Sequence, residues 1–185
     1  MTSTDILAMA DRVHTANKKW WQDLETGQPI ERNVGELLML CVSELSEALE
    51  GDRKNLMDDK LPHRKMIEVE LTDAMIRTLD IIGGLHLTVP SVSAIRTGWR
   101  KNVAENLLII VSSYIEAYEE YELRDSINGN IHFRYSLARS LVLIIELAEH
   151  LGLDIMGAYE EKMAYNAVRH DHSVEGRKSA NGKKY

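Results

Sequence analysis

The sequence predicts an all-α protein, a bundle of about six helices in which an internally duplicated helix pair forms a four-helix core. Three observations lead to this fold class. Apolar residues recur three and four positions apart along most of the chain, as they do on amphipathic helices. The three prolines, Pro29, Pro62 and Pro90, fall between these stretches rather than inside them. One helical segment repeats after 69 residues.

Each predicted helix is delimited by its apolar pattern and by the residues at its ends. Asn33 and Asp154 stand where an N-cap side chain would accept a backbone N–H, and Gly51 and Gly152 stand where glycine commonly ends a helix. The predicted helices span about 4–24, 33–51, 64–87, 98–123, 132–151 and 154–168.

The repeat places "RNVGELLMLCVSELSEALE" (32–50) over "KNVAENLLIIVSSYIEAYE" (101–119), with nine identities in 19 positions. About one identity would be expected from average composition. A weaker echo places 71–87 over 137–153. We therefore expect a single domain over 1–172, built from a helix pair at 32–87 and a degenerate repeat at 101–153. Residues 173–185 are polar and basic and are predicted to form a mobile tail, whose Arg177, Lys178, Lys183 and Lys184 could fold over bound phosphates.

Bulk composition excludes several classes of protein. The net charge of -7 and a pI of about 5.5 argue against a nucleic-acid binder, which needs a basic surface. No apolar run approaches a membrane span, and the first residues lack a signal-peptide pattern. The single cysteine, Cys41, lies in the apolar run "LLMLCV" and is predicted to be a buried thiol. A cytoplasmic location is expected.

Two acidic pairs have the spacing of chemistry-bearing residues. Glu44 with Glu47, and Glu70 with Asp73, each lie three residues apart beside apolar neighbours, and hence on one helix face. Four carboxylates brought together by two packed helices would need a cation, and oxygen ligands favour Mg²⁺ or Mn²⁺. The alternative is a pair of solvated acidic faces. A di-iron carboxylate site is excluded, because no Glu stands three residues before any histidine.

The duplicate differs from the first copy at these acidic positions. Ser113 replaces Glu44, Ser136 replaces Glu70, and Arg139 replaces Asp73, whereas Glu47 is matched by Glu116. The helical framework therefore persists without the acids. This contrast favours a functional rather than a structural role for the acids of the first copy.

Two further groups are candidates for ligand binding. Lys162, Asn166 and Arg169 follow one another at spacings of four and three, which puts a cationic face on one helix. The alternative is a solvated helix end placed favourably in the helix dipole. Trp20 and Trp21 are adjacent and cannot share a face, so one is expected in the core and one on a stacking surface.

Together the stretches "ANKKWW", "LLMLCVSELSEALEGDRKN", "VELTDAMIRTLDIIGGLHL" and "LGLDIMGAYEEKMAYNAVRHDH" resemble the MazG-like branch of the all-α nucleoside triphosphate pyrophosphatases, which includes the dimeric dUTPases. That family's pattern joins an E-x-x-E helix to E-x-x-D and then to K-x-x-x-N-x-x-R. Two features depart from it: Ser43 stands where many relatives double the first Glu, and the chain is internally duplicated.

The resemblance implies hydrolysis of a nucleoside triphosphate between the α and β phosphates by a homodimer. It makes Glu44, Glu47, Glu70 and Asp73 ligands of Mg²⁺, with a glutamate as the general base. Glu44 is favoured over Glu47 for that role, because the duplicate keeps Glu at the position of Glu47 but not at that of Glu44. Its implied substrate contacts are Lys162, Asn166, Arg169, Asn17, Trp20, Trp21 and Lys54. The alternatives are a non-catalytic nucleotide or metal sensor and a helical interaction module. The sequence leaves base and sugar specificity open.

Overall fold

The computed structural model describes residues 2–92, 98–123, 130–179 and 182, and it confirms the all-α prediction. Short 3₁₀ turns occupy Lys18–Trp21 and His170–His172. The described residues form seven α-helices: α1 Ser3–Asn17, α2 Val34–Lys54, α3 Met66–Gly84, α4 Val103–Glu122, α5 Ile131–His150, α6 Ile155–Val168 and α7 Val174–Lys178.

The four-helix core consists of α2 to α5. Each of these helices packs against two others: α2 against α3 and α4, and α5 against α3 and α4. The pairs run antiparallel, since Gly51 near the end of α2 lies against Met66 at the start of α3, and Gly35 at the start of α2 lies against Tyr118 near the end of α4. Helices α1 and α6 also pack on α3, which places α3 at the centre of the protein.

The duplication is visible in equivalent contacts of α2 and α4. Asn33 and Asn102 both cap their helices by accepting a backbone N–H, from Glu36 and Ala104 respectively. The aligned Ser43 and Ser112 hydroxyls donate to the carbonyl three residues earlier, at 2.8 and 2.7 Å. Aligned residues of the two predicted copies therefore make equivalent local contacts.

Some predicted boundaries are wrong. The first helix stops at Asn17 rather than near 24, and the chain continues as a 3₁₀ turn. Gly51 does not end α2; it provides the close approach to α3, and the helix runs on to Lys54 before Asn55 turns left-handed at φ 49°. Gly152, with φ 69°, does follow the end of α5 as predicted.

Trp21 and Cys41 belong to the core. Trp21 lies flat against Gly84 of α3, and its indole N–H donates to Asp80 at 3.1 Å. The Cys41 thiol is fully buried as predicted, and burial raises its pKa to about 12, so it stays a neutral apolar group.

Residues 173–179, the first part of the predicted tail, contain α7. Arg177 is 6% exposed, lies over the Trp20 ring at 4.2 Å and donates to the Lys19 carbonyl at 2.6 Å. A cationic side chain with an aromatic partner and a backbone acceptor holds this segment in place. Lys183 and Lys184 lie outside the described residues.

Across the described ranges, no helix combines the length and the apolar character that a membrane crossing requires.

The contact between Gly84 and Trp21 predicts that alanine at position 84 destabilises the protein, although alanine usually stabilises a helix. Alanine normally stabilises a helix relative to glycine by about 1 kcal/mol. A Cβ at position 84 would overlap the Trp21 ring, which Asp80 holds, so we expect Gly84→Ala to lower the free energy of unfolding by about 1–3 kcal/mol. Urea denaturation measures it. Gly98→Ala is the matched control, because a Cβ there meets nothing within 4 Å; an equal effect of both changes would contradict the packing described here.

Candidate functional site

Three of the predicted acidic residues converge between α2 and α3. Glu44 and Glu47 from α2 and Glu70 from α3 each contribute one carboxylate oxygen, and these oxygens lie within 4.8 Å of one another. Glu44 and Glu70 are buried, at 6% and 7% exposure, whereas Glu47 is exposed. We call these three residues the acidic cluster. Its buried part is fixed by packing, and its exposed part opens to solvent.

Glu70 has an unusual environment for a carboxylate. The pKa of Glu70 is raised to about 9, mainly by burial. The nearby Asp73 and a hydrogen bond to Glu44 add to this increase. At neutral pH and without a metal, Glu70 therefore keeps its proton. A divalent cation would replace that proton and allow all three carboxylates to ionise.

The donor set of the acidic cluster fits a hard divalent cation. Three carboxylate oxygens from two helices leave coordination positions for water, which is the arrangement that Mg²⁺ favours and Mn²⁺ accepts. The exposed Glu47 gives the ion a route from solvent. Glu44, Glu47 and Glu70 are thus the residues that could hold the metal.

Asp73 is not part of the acidic cluster. Its Oδ2 accepts from Lys162 Nζ at 2.8 Å, and Lys162 is only 3% exposed. Burial raises the pKa of Asp73, the lysine partly offsets this, and the result is about 6. Burial opposes the charge on Lys162, but Asp73 outweighs it and raises the pKa of the lysine. A predicted metal ligand and a predicted phosphate ligand therefore neutralise each other.

Arg77 is a site residue that the sequence analysis missed. Its Nε donates to Glu44 Oε1 at 2.6 Å, so it shields one side of the acidic cluster. The sequence spacing could have identified it, because Arg77 lies four residues after Asp73 and therefore on the same face of α3.

A cleft of about 110 Å³ adjoins the acidic cluster. A single water molecule needs only about 10–15 Å³ of cavity volume, so the cleft admits a larger ligand. Asp73 and Arg77 join it to the cluster, since both line the cleft and Arg77 contacts Glu44. The lining residues are Asn17, Trp20, Arg32, Leu37, Leu40, Asp73, Ile76, Arg77, Asp80, Ile81, Asn166, Arg169 and His172.

Four of the predicted substrate contacts line this cleft. Asn17 and Trp20 come from the first helix and its 3₁₀ turn, and Asn166 and Arg169 come from the end of α6. Asn166 Oδ1 is buried and receives no hydrogen bond from any described residue. Arg169 donates through Nε and Nη2 to both oxygens of Asp171, at 2.9 and 2.6 Å. This forked contact is the geometry with which arginine also binds phosphate.

Two predicted substrate contacts lie elsewhere. Trp21 faces the core, where it packs on Gly84. Lys54 pairs with Glu50 on the exposed last turn of α2. Trp20 is the tryptophan that borders the cleft, with Arg177 over its face and the His172 ring edge-on at 5.2 Å.

Three other lining residues, Arg32, Asp80 and His172, were also missed. Asp80 continues the polar face of α3 three residues after Arg77, a signal that the helical spacing does carry. Arg32 is buried and donates to the Trp20 carbonyl and to Glu36. This arrangement depends on tertiary packing, so no local sequence pattern predicts it.

In the duplicate, an internal arginine lies where the first copy has an acid. Arg139 occupies the position of Asp73 and donates to Ser113 Oγ at 2.8 Å and to Glu116 Oε2 at 3.0 Å. The one acid kept in the second copy is thus paired with an internal arginine.

Comparison of the chain with protein-family models, with curated proteins and with solved structures gave no match.

The raised pKa of Glu70 predicts a stability that depends on pH and on metal. Because the folded-state pKa lies above the ordinary value of 4.5, the stabilisation is complete below that value and is lost as the pH rises through about 9. At pH 9 without metal, we expect Glu70→Gln to be more stable than wild type by several kcal/mol, because each pH unit between about 4.5 and 9 lowers the stability of the wild type by about 1.4 kcal/mol. Mg²⁺ should stabilise the wild type and not the variant.

Glu68→Gln is the matched control for this comparison. Glu68 is equally buried but pairs with Arg64 at 3.0 Å and accepts from the Asp154 N–H, so its loss should destabilise at every pH. Thermal melts at pH 5, 7 and 9 separate the two. Destabilisation by Glu70→Gln at pH 9 would contradict the environment assigned to Glu70.

Proposed function

We propose that this protein is a Mg²⁺-dependent nucleoside triphosphate pyrophosphohydrolase, which cleaves between the α and β phosphates to give a nucleoside monophosphate and pyrophosphate. The observation that carries the proposal is the junction of the acidic cluster with a cleft that is lined by an arginine, an amide and the half-buried Trp20 ring. Such a cleft offers a nucleotide a metal at its phosphates and a stacking surface at its base.

The residues have distinct roles in this proposal. Glu44, Glu47 and Glu70 hold the cation, which would screen the phosphate charge and supply an acidified water. Arg169 exchanges Asp171 for phosphate oxygens. The side-chain amide of Asn166 turns its N–H₂ group toward phosphate, and the Trp20 face supports the base.

The chemical step is an in-line displacement at the α phosphorus. A water oxygen forms the new bond to phosphorus, the bond to the bridging α–β oxygen breaks, and pyrophosphate leaves with that oxygen. Glu44 or Glu47 accepts the proton of the water. Arg77 already occupies one oxygen of Glu44, which leaves Glu47, at the solvent side, as an equal candidate for the base.

We also propose that the enzyme works in the cytoplasm as a homodimer. A single buried cysteine fits a reducing compartment. The outer face of α4 exposes Leu108 and Ile115, at 68% and 54%, and such apolar side chains suit a subunit contact.

A second candidate is a nucleotide or metal sensor without turnover. It is favoured by the internal neutralisation of the site, because Lys162 pairs with Asp73 and Arg169 with Asp171 before any ligand binds. A ligand that displaces these contacts would change the position of α6. Turnover distinguishes the two candidates.

The duplication supplies a matched test of the enzymatic proposal. We expect Glu47→Gln to lower kcat at least about a hundredfold, as removal of a metal ligand or general base does. Glu116→Gln changes the equivalent residue of the second copy and should leave kcat within about twofold, because Glu116 pairs only with an internal arginine in the contacts seen here. The measurement is chromatography of the products formed from each deoxynucleoside triphosphate with Mg²⁺.

Monophosphate and pyrophosphate are the expected products. Release of orthophosphate and a nucleoside diphosphate would sink the assigned bond cleavage. Binding of nucleotide without any product would instead favour the sensor.

A further inference from the structure

The cleft has a direction that follows from α3. Glu70, Asp73, Arg77 and Asp80 succeed one another at spacings of three, four and three, and so lie along one face of this helix. Ten residues of helix rise about 15 Å. Asp80 therefore lies at the end of the cleft remote from the acidic cluster, at a distance suited to the base of a nucleotide whose phosphates lie near the cluster.

The end of the cleft around Asp80 has the composition of a nucleobase pocket. Asp80 contacts the first helix and its 3₁₀ turn through His14 and Trp21, so the neighbouring Asn17 and Trp20 line the cleft at this end. Leu37 at the start of α2 and Ile81 beside Asp80 add apolar surface. A flat apolar ring with polar edges fits between an aromatic face and a carboxylate.

The Asp80 carboxylate is held in a fixed orientation. Its Oδ1 lies 3.1 Å from His14 Nδ1, and its Oδ2 accepts from Trp21 Nε1 at 3.1 Å. The residue is 9% exposed and lines the cleft. A carboxylate oxygen has two lone pairs, so each Asp80 oxygen keeps one for a ligand. A group held in this way can only accept hydrogen bonds.

We propose that Asp80 is a specificity-determining residue that selects nucleobases with an amino group at the position of the cytosine 4-amino group, namely cytosine and adenine, over uracil and thymine. This inference rests on the proposed function. An amino group donates a hydrogen bond to a carboxylate. Uracil has a carbonyl at the same position, and its oxygen, like the carboxylate oxygen of Asp80, can only accept. A site built to receive a donor rejects the analogue that lacks it, because the lone pairs of Asp80 that His14 and Trp21 do not use are then left unpaired against a carbonyl oxygen.

The cleanest test compares two ligands that differ in one group. The non-hydrolysable α,β-imido analogues of dCTP and dUTP are titrated into the full chain with Mg²⁺, and Kd is measured by calorimetry. We expect the dCTP analogue to bind at least about tenfold more tightly. The same preference should appear in kcat/KM for dCTP over dUTP.

Two variants separate selection from general binding. Asp80→Asn keeps the shape and replaces one acceptor by a donor, so the preference for dCTP should fall at least about tenfold. Trp20→Leu should weaken both analogues alike, because stacking is tolerant of the base. If Asp80→Asn does not fold in a thermal melt, the 2-pyrimidinone analogue replaces it on wild type; lacking the amino group, it should bind no better than the dUTP analogue.

Each outcome decides one claim. Equal binding of the dCTP and dUTP analogues, or a preference unchanged by Asp80→Asn, overturns the role of Asp80 and leaves the proposed function standing. Tight binding of the 2-pyrimidinone analogue also overturns it. If neither analogue binds to wild type with Mg²⁺, the proposed function itself fails, and the inference with it.

Discussion

Burial of carboxylates on α3 is the constraint around which the rest of the protein is arranged. This helix packs against α1, α2, α5 and α6, so its acids are largely shielded from bulk water. A buried carboxylate needs a counter-charge, hydrogen-bond donors or a proton. Neighbouring elements supply partners for three of the acids on α3. Within the described part of the chain, the fourth acid, Glu70, has no ion pair. The partnered acids are Glu68 with Arg64, Asp73 with Lys162, and Asp80 with His14 and Trp21.

The second copy of the helix pair shows that this gap is not a requirement of the fold. Ser136 stands at the place of Glu70, and Arg139 meets the remaining acid from within. The same bundle is therefore built once with a complete internal charge balance and once without it. The copy that lacks the balance is the copy beside the cleft, which supports the proposal that a ligand supplies the missing charge.

Much of the fold followed from local patterns. Helix caps such as Asn33 and the repeated helix pair depend on residues close in sequence, and the E-x-x-E spacing placed Glu44 and Glu47 on one face. The pairing of Asp73 with Lys162 and the burial of Arg177 were not predicted, because they depend on how distant elements pack. The prediction that Gly51 ends α2 was wrong for the same reason: Gly51 allows α2 and α3 to approach each other closely.

The most direct test of a cation completing the acidic cluster is calorimetric titration of Mg²⁺ or Mn²⁺ at pH 7.5 in two buffers of different ionisation enthalpy. Since the pKa of Glu70 is about 9 without metal, binding should be saturable and should release about one proton for each ion bound. The proton release should be absent in Glu70→Gln. Wild-type protein that shows no saturable binding, or binds the ion without releasing a proton, would contradict the account.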